Sequence, residues 1–159
     1  MKVISIIGKK KSGKTSLIEY LIPYLNEYGK VGCIKHAHEL NFDFDFDFDF
    51  DTSTAKDTDR FFNAGAEVVI GTSEEKAIKI CRRGKTVTEL LTEMAQSDVD
   101  FVLVEGFKSS NLPKITLSEF LDDDLVDNII KKVGLPTDSE DREETIKEIV
   151  KLILSLDEY

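Results

Sequence analysis

The strongest constraint on the fold of this chain is eight residues long. Gly8-Lys9-Lys10-Lys11-Ser12-Gly13-Lys14-Thr15 satisfies G-x-x-x-x-G-K-[ST] at every fixed position. With glycine near 7% of residues, a chance match in a chain of this length arises roughly once in a few hundred sequences. The flanks tighten the reading. Val3-Ile4-Ser5-Ile6-Ile7 before the motif is a β-branched run that reads as a buried strand. Leu17, Ile18, Leu21, Ile22 and Leu25 after it recur at helical spacing. A strand, a glycine-bearing turn and a helix start are what a phosphate loop requires. Its backbone N–H groups curl around phosphate oxygens, and the helix N-terminus adds partial positive charge. Gly8, Lys11, Ser12, Gly13, Lys14, Thr15 and Ser16 are the expected nucleotide contacts. Lys14 is expected to reach the β- and γ-phosphates, and the Thr15 hydroxyl to ligate Mg²⁺.

The rest of the chain alternates strand and helix patterns. Pro23 interrupts the first helical pattern, and Gly29 is a plausible stop for it. Val31–Ile34 reads as a second strand, 56–65 as a helix ending at Ala64-Gly65, and Val68–Ile70 and Ala77–Cys81 as short strands. Thr86–Ala95 reads as an amphipathic helix, Phe101–Val104 as the most hydrophobic strand, and Ile115–Leu117 as a further short one. Asp122–Asp124 and Gly134–Pro136 mark loops. The tail from Ser139 sets Ile146, Ile149, Val150, Ile153 and Leu154 on one helical face, with carboxylates at its start that suit the helix dipole. This order predicts an α/β, P-loop NTPase-like protein with a mostly parallel sheet flanked by helices. Its 159 residues suit a single nucleotide-binding domain spanning 1–159.

Charge and cysteine usage narrow the function. There are 31 Asp and Glu against 21 Lys and Arg, a net charge of −10. Such a balance argues against non-specific nucleic-acid binding, which needs surplus cationic side chains, but leaves room for one small basic pocket. No apolar run has the length of a membrane span, and MKVISIIGKK does not read as a signal peptide. Cys33 and Cys81 fit no metal spacing and read as two reduced, semi-buried thiols of a cytoplasmic protein. Residues 42–51 repeat Phe-Asp five times. The period of two predicts an extended strand with Phe42, Phe44, Phe46, Phe48 and Phe50 on one face and an aspartate row on the other. The aromatic face is expected to pack at a dimer interface, on the protein's own sheet, or both.

A phosphate loop needs an acidic partner for Mg²⁺ at the end of a neighbouring hydrophobic strand. Phe101-Val102-Leu103-Val104-Glu105-Gly106 supplies one. Glu105 is expected to orient the magnesium water shell or the attacking water, making Lys14 and Glu105 the candidate catalytic pair, and Thr15 and Glu105 the candidate metal ligands. Lys35-His36-Ala37-His38 ends the second strand, on the edge where α/β sheets bind ligands. His36 and His38 share a face if the strand continues, but a third metal ligand is missing. His36 is retained as a nucleotide contact.

These pieces carry a resemblance. Ile34-Lys35-His36-Ala37-His38, then Lys56-Asp57-Thr58-Asp59-Arg60 with Ala64-Gly65-Ala66, then Val104-Glu105-Gly106-Phe107-Lys108 with Pro113-Lys114-Ile115, follow the phosphate loop in order. Over about residues 1–117 the chain resembles the MobB family, GTP-binding accessory proteins of molybdopterin-guanine dinucleotide biosynthesis. The resemblance implies a homodimer, GTP with Mg²⁺, weak GTPase activity, and as partner the MobA-like guanylyltransferase that joins GMP to molybdopterin. It also implies that Lys56, Asp57 and Arg60 lie near the active face; the residues alone read as a charged helix start. The chain carries Glu39 where the family commonly has a further His, and Ala55 where it commonly has Gly. No Asn-Lys-x-Asp motif occurs, so guanine comes from the resemblance and not from a base-reading motif. A rival reading is a small P-loop kinase that phosphorylates a metabolite. Four arginines, at 60, 82, 83 and 142, form no arginine-rich lid, which counts against it.

Overall fold

The computed structural model describes residues 1–37, 52–117 and 126–159, with backbone only at 52–56. The Phe-Asp repeat and His38 lie outside the described residues. The chain divides into two compact units, residues 1–38 with 87–159, and residues 39–86.

The larger unit is built on a five-stranded parallel sheet. Its strands are β1 (Lys2–Gly8), β2 (Val31–Lys35), β5 (Phe101–Glu105), β6 (Lys114–Leu117) and β7 (Ile129–Val133), in the order β2-β5-β1-β6-β7. Between β2 and β5 the chain also forms β3 (Val68–Thr72) and β4 (Ala77–Cys81). The helices are α1 (Lys14–Leu25), α2 (Thr52–Asn63), α3 (Val87–Gln96) and α4 (Ser139–Leu154). β1 sits centrally, pairing Lys2–Ile6 with Phe101–Glu105 on one side and Ser5–Gly8 with Lys114–Leu117 on the other.

Alternation along the strands sorts the core into two layers. Ile4 and Ile6 of β1, Phe101 and Leu103 of β5, and Ile115 and Leu117 of β6 turn to one face. There they meet Leu17, Ile18, Leu21 and Leu25 of α1 and Ile146, Ile149, Val150 and Ile153 of α4. Val3, Ile34, Val102 and Val104 turn to the other face, against Leu91 of α3 and Leu112. A parallel sheet covered on both faces reads as a near-continuous hydrophobic run, which is why Val3–Ile7 and Phe101–Val104 were so plain in the sequence. Each fully buried Leu or Ile contributes about 1.5–3 kcal/mol. Cys33 corrects one expectation: it is exposed on edge strand β2, while Cys81 is half-buried.

The helix ends follow local chemistry. α1 runs through Pro23 and stops at Leu25; α4 opens on Asp138, whose carboxylate accepts from the N–H groups of Glu140 and Asp141. α4 is tied to the edge of the sheet by Lys131 of β7, whose Nζ lies 2.8 Å from Glu148 Oε2. That hydrogen bond and charge hold Glu148 below the usual carboxylate range. A depressed folded-state value means that the contribution is fully present above the unfolded carboxylate pKa and is lost as pH falls through the folded one. Lys131→Met is therefore expected to lower the melting temperature slightly at pH 6 and hardly at all near pH 3. Parallel melts of the two proteins across that range check it.

In the smaller unit, β3 and β4 pair antiparallel with each other, Val69 opposite Ile80 and Gly71 opposite Ile78. α2 ends at Asn63, two residues short of Gly65, which takes a left-handed φ of 113°. Among the described residues no helix is long and apolar enough to cross a membrane.

Candidate functional site

The site grows out of the C-terminal edge of the parallel sheet. β1 ends at Gly8, where side chains are excluded: a Cβ there would stand 2.5 Å from Ser12 Oγ and 2.9 Å from the Leu117 carbonyl oxygen. The loop then folds back on itself, with the Ser12 N–H bonded to the Lys9 carbonyl at 3.2 Å. Lys11 (φ 63°) and Gly13 (φ 89°) are both left-handed, the backbone form that gathers N–H groups into an anion-binding concavity. Gly13 also caps α1, which has no side-chain cap and no acidic residue in its first turn. The first N–H groups of α1 are thus left to an external acceptor. Ser12 Oγ is buried without a hydrogen-bond partner, as suits a hydroxyl placed for a phosphate oxygen. Lys14 Nζ donates to the Lys9 carbonyl at 2.7 Å, so the lysine lies along its own loop.

β5 delivers Glu105 to the same place. The Thr15 hydroxyl donates to Glu105 Oε2 at 3.0 Å, and Lys35 Nζ from the end of β2 lies 3.4 Å from the same oxygen. The Glu105 side chain is 13% exposed, so this carboxylate is largely withdrawn from water yet held by a hydroxyl and an ammonium. Hydroxyl and carboxylate are hard oxygen donors suited to Mg²⁺, which keeps most of its waters and takes its remaining ligands from phosphate. Among the described residues no group of three His, Cys, Asp or Glu could hold a metal by itself. Sequence reasoning had assigned no role to Lys35; its place at the C-terminal end of a strand adjoining β5 was the available signal.

Beyond Glu105 the chain turns sharply. Gly106 (φ 102°) and Phe107 (φ 52°) are both left-handed. The turn is held by the Gly106 N–H on the Ile6 carbonyl at 3.1 Å and by the buried Ser5 hydroxyl, which donates to the Gly106 carbonyl at 2.6 Å. A Cβ on Gly106 would sit 3.1 Å from His36 Cβ, so glycine permits the close approach of the β2 end. His36, whose N–H donates to the Glu105 carbonyl at 2.8 Å, stacks on the Phe107 ring with centroids 4.4 Å apart. Together these segments enclose a cavity of about 760 Å³ that opens onto Gly8 and Lys14.

Behind this turn Lys114 of β6 is wholly buried. Its ammonium donates to the carbonyls of Ser110, of Leu112 at 3.0 Å and of Asp127 at 2.9 Å. Burial lowers its pKa from the usual lysine range, and the Asp127 charge works the other way. Three N–H donors meet three carbonyls. In the sequence Lys114 stands only within Pro113-Lys114-Ile115, where nothing local announces its burial.

The remaining expected site residues belong to the other unit. Lys56, Asp57 and Arg60 all lie on α2, where Arg60 pairs with Asp57 at 3.0 Å.

Sheet order, phosphate loop and strand-end acid together define a P-loop NTPase-like α/β fold. Residues 3–128 match the family model described as molybdopterin guanine dinucleotide synthesis protein B, and the chain belongs to this MobB family. A Methanocaldococcus jannaschii relative is 32% identical over 133 residues, 80% of this chain and 52% of that protein. A Haemophilus influenzae relative, named molybdopterin-guanine dinucleotide biosynthesis adapter protein, is 36% identical over 118 residues, 72% of this chain and 62% of that protein. The matched part thus spans between about half and under two thirds of these relatives. Solved structures agree on the fold. A MobB homologue from Bacillus stearothermophilus superposes with a TM-score of 0.68 at 23% identity, covering 98% of this chain and all 100% of its own. Bacillus subtilis MobB gives 0.70 at 21%, covering 95% and 97%.

Proposed function

We propose that the protein is a nucleotide-binding adapter of molybdopterin-guanine dinucleotide synthesis, holding GTP with Mg²⁺ at the phosphate loop and hydrolysing it slowly. The observation that carries this reading is the 3.0 Å contact between Thr15 Oγ1 and Glu105 Oε2 at the mouth of the loop. It joins the two groups that an Mg²⁺-bound triphosphate would use. In this reading the loop N–H groups and Lys14 bind the phosphates, and Thr15 and Glu105 hold the metal or its waters. Mg²⁺ would supply charge neutralisation along the bridging phosphate oxygens. Glu105 would further orient the attacking water, while His36, Lys56, Asp57 and Arg60 are kept as contacts of the nucleotide or its partner face. Guanine as the base, a homodimer, and a guanylyltransferase as partner come with the family. The test is calorimetric titration with GTP and ATP, each with and without Mg²⁺. Tight binding of GTP that needs Mg²⁺ is expected; no binding of either triphosphate would overturn the reading.

Glu105→Gln separates catalysis from binding. An interaction realised mostly in the transition state lowers turnover and leaves ground-state affinity nearly unchanged. Loss of one such charge contact is expected to slow hydrolysis about 10²-fold and to weaken GTP binding less than about threefold. Single-turnover phosphate release beside calorimetry measures both. Equal losses would reduce Glu105 to a plain metal ligand.

A further inference from the structure

Lys35 is the charged group of the site to which the nucleotide reading gives no part. Parallel pairing of β2 with β5 sets Lys35 beside Glu105 in register, and side chains at paired positions of a sheet share a face. The His36 N–H clamps the end of β2 further by donating to the Glu105 carbonyl at 2.8 Å. The sheet itself therefore brings this ammonium to this carboxylate. Lys35 Nζ lies 3.4 Å from Glu105 Oε2, the oxygen that also accepts from Thr15 Oγ1 at 3.0 Å.

The two partners differ in their access to water. The Glu105 side chain is 13% exposed and that of Lys35 is 57% exposed. A carboxylate so withdrawn, at the mouth of a loop that gathers phosphate, calls for a cation. Left uncompensated, it is costly to bury and repels phosphate oxygens. Lys14 does not cover it, because its ammonium donates into its own loop, to the Lys9 carbonyl at 2.7 Å. Lys35 does. A pair with one half-open partner adds little to folding stability, so the effect of this ammonium falls on the charge at Glu105. It is also easily withdrawn. A divalent cation at Glu105 would repel the ammonium, and more than half of the Lys35 side chain already lies in water.

We infer that Lys35 is a positioning residue acting through Glu105: it stands in for Mg²⁺ while the site is metal-free, and so sets how strongly nucleotide binding depends on the metal. The inference rests on the nucleotide reading for the identity of the anion. One ammonium then offsets one carboxylate before the metal arrives, and the loop stays open to a bare triphosphate.

Lys35→Met keeps the stem and removes the charge. The full-length chain is titrated calorimetrically with GTP, once in EDTA and once in saturating Mg²⁺. In EDTA the variant is expected to bind about tenfold more weakly than the parent, since Glu105 then faces the triphosphate uncovered. In Mg²⁺, where the metal brings that charge, it is expected to stay within about threefold of the parent. The factor by which Mg²⁺ tightens GTP binding thus rises at least about threefold. Lys35→Arg keeps the charge and is expected to follow the parent within about threefold in both media. Melting temperature checks folding, and Lys35→Gln, uncharged and more polar, carries the same comparison if the methionine variant fails to fold. A merely structural role would weaken binding equally in the two media, and that result would overturn the assignment. So would an unchanged affinity in EDTA, or an arginine variant as weak as the methionine one. A parent that binds GTP in Mg²⁺ and not at all in EDTA would also overturn it, with the nucleotide reading left standing. A parent that binds no triphosphate in either medium would sink both.

Discussion

Lys14→Ala is expected to reduce GTP affinity at least about hundredfold, to below calorimetric detection, with the fold intact. The loss follows from removing a cation that forms charge-assisted hydrogen bonds to two phosphates, about 3 kcal/mol or more together. Stability is spared because, among the described residues, the ammonium bonds only the Lys9 carbonyl, at 2.7 Å, and contributes nothing to either core layer. Thr15→Ala is the companion. Its hydroxyl meets Glu105 and not the core, so affinity should fall in Mg²⁺ and match that of the parent in EDTA. Triphosphate affinity unchanged in both variants would contradict the nucleotide reading.

Lys114→Met is expected to produce the largest loss of stability of any single change discussed. Methionine matches the length of the stem but leaves the carbonyls of Ser110, Leu112 and Asp127 without their donor. Removing the buried charge returns part of its desolvation cost, so the net loss is about 2–4 kcal/mol. In a domain of this size that is a drop of about 5–15 °C in melting temperature. Differential scanning calorimetry reads it directly. A drop under about 2 °C would mean that water replaces the ammonium without penalty.

The legible parts of the chain were those whose signal is local. A phosphate loop, its strand and its helix occupy consecutive residues, so Val3 to Leu25 could be read directly. Glu105 was legible for a different reason: an acid at the end of the most apolar strand has few other structural uses, and the structure sets it 3.0 Å from Thr15. β7 was missed. Its sequence Ile129-Ile130-Lys131-Lys132-Val133 alternates half-buried and exposed positions before the buried Val133 at the sheet edge, and edge strands carry lysine, which blurs the pattern. Its pairing with β6 also shifts register between Lys114 and Ile115, which no local pattern announces. The burial of Lys114 was equally hidden, since it depends on three carbonyls gathered from two separate loops. The left-handed Phe107 was hidden as well, because its strain is supported by Ser5 and Ile6 from another strand.

The strand order has a consequence for how the chain is made. β1 finds its partners at Phe101–Glu105 and Lys114–Leu117, and β2 finds its partner only at Phe101–Glu105. Among the described residues, each waits for a neighbour from the later part of the chain. A nascent chain emerging N-terminus first therefore carries its phosphate-loop strand unpaired until some hundred residues have followed it. Among the described strands, the β3–β4 pair, joined by a four-residue turn, is the one that can close early. Sheets dominated by such distant pairings assemble slowly, and their waiting hydrophobic strands are the segments most exposed to aggregation. For this protein those segments are Val3–Ile7 and Val31–Ile34, so the residues that later shape the phosphate site are also ones that a chaperone would need to shield.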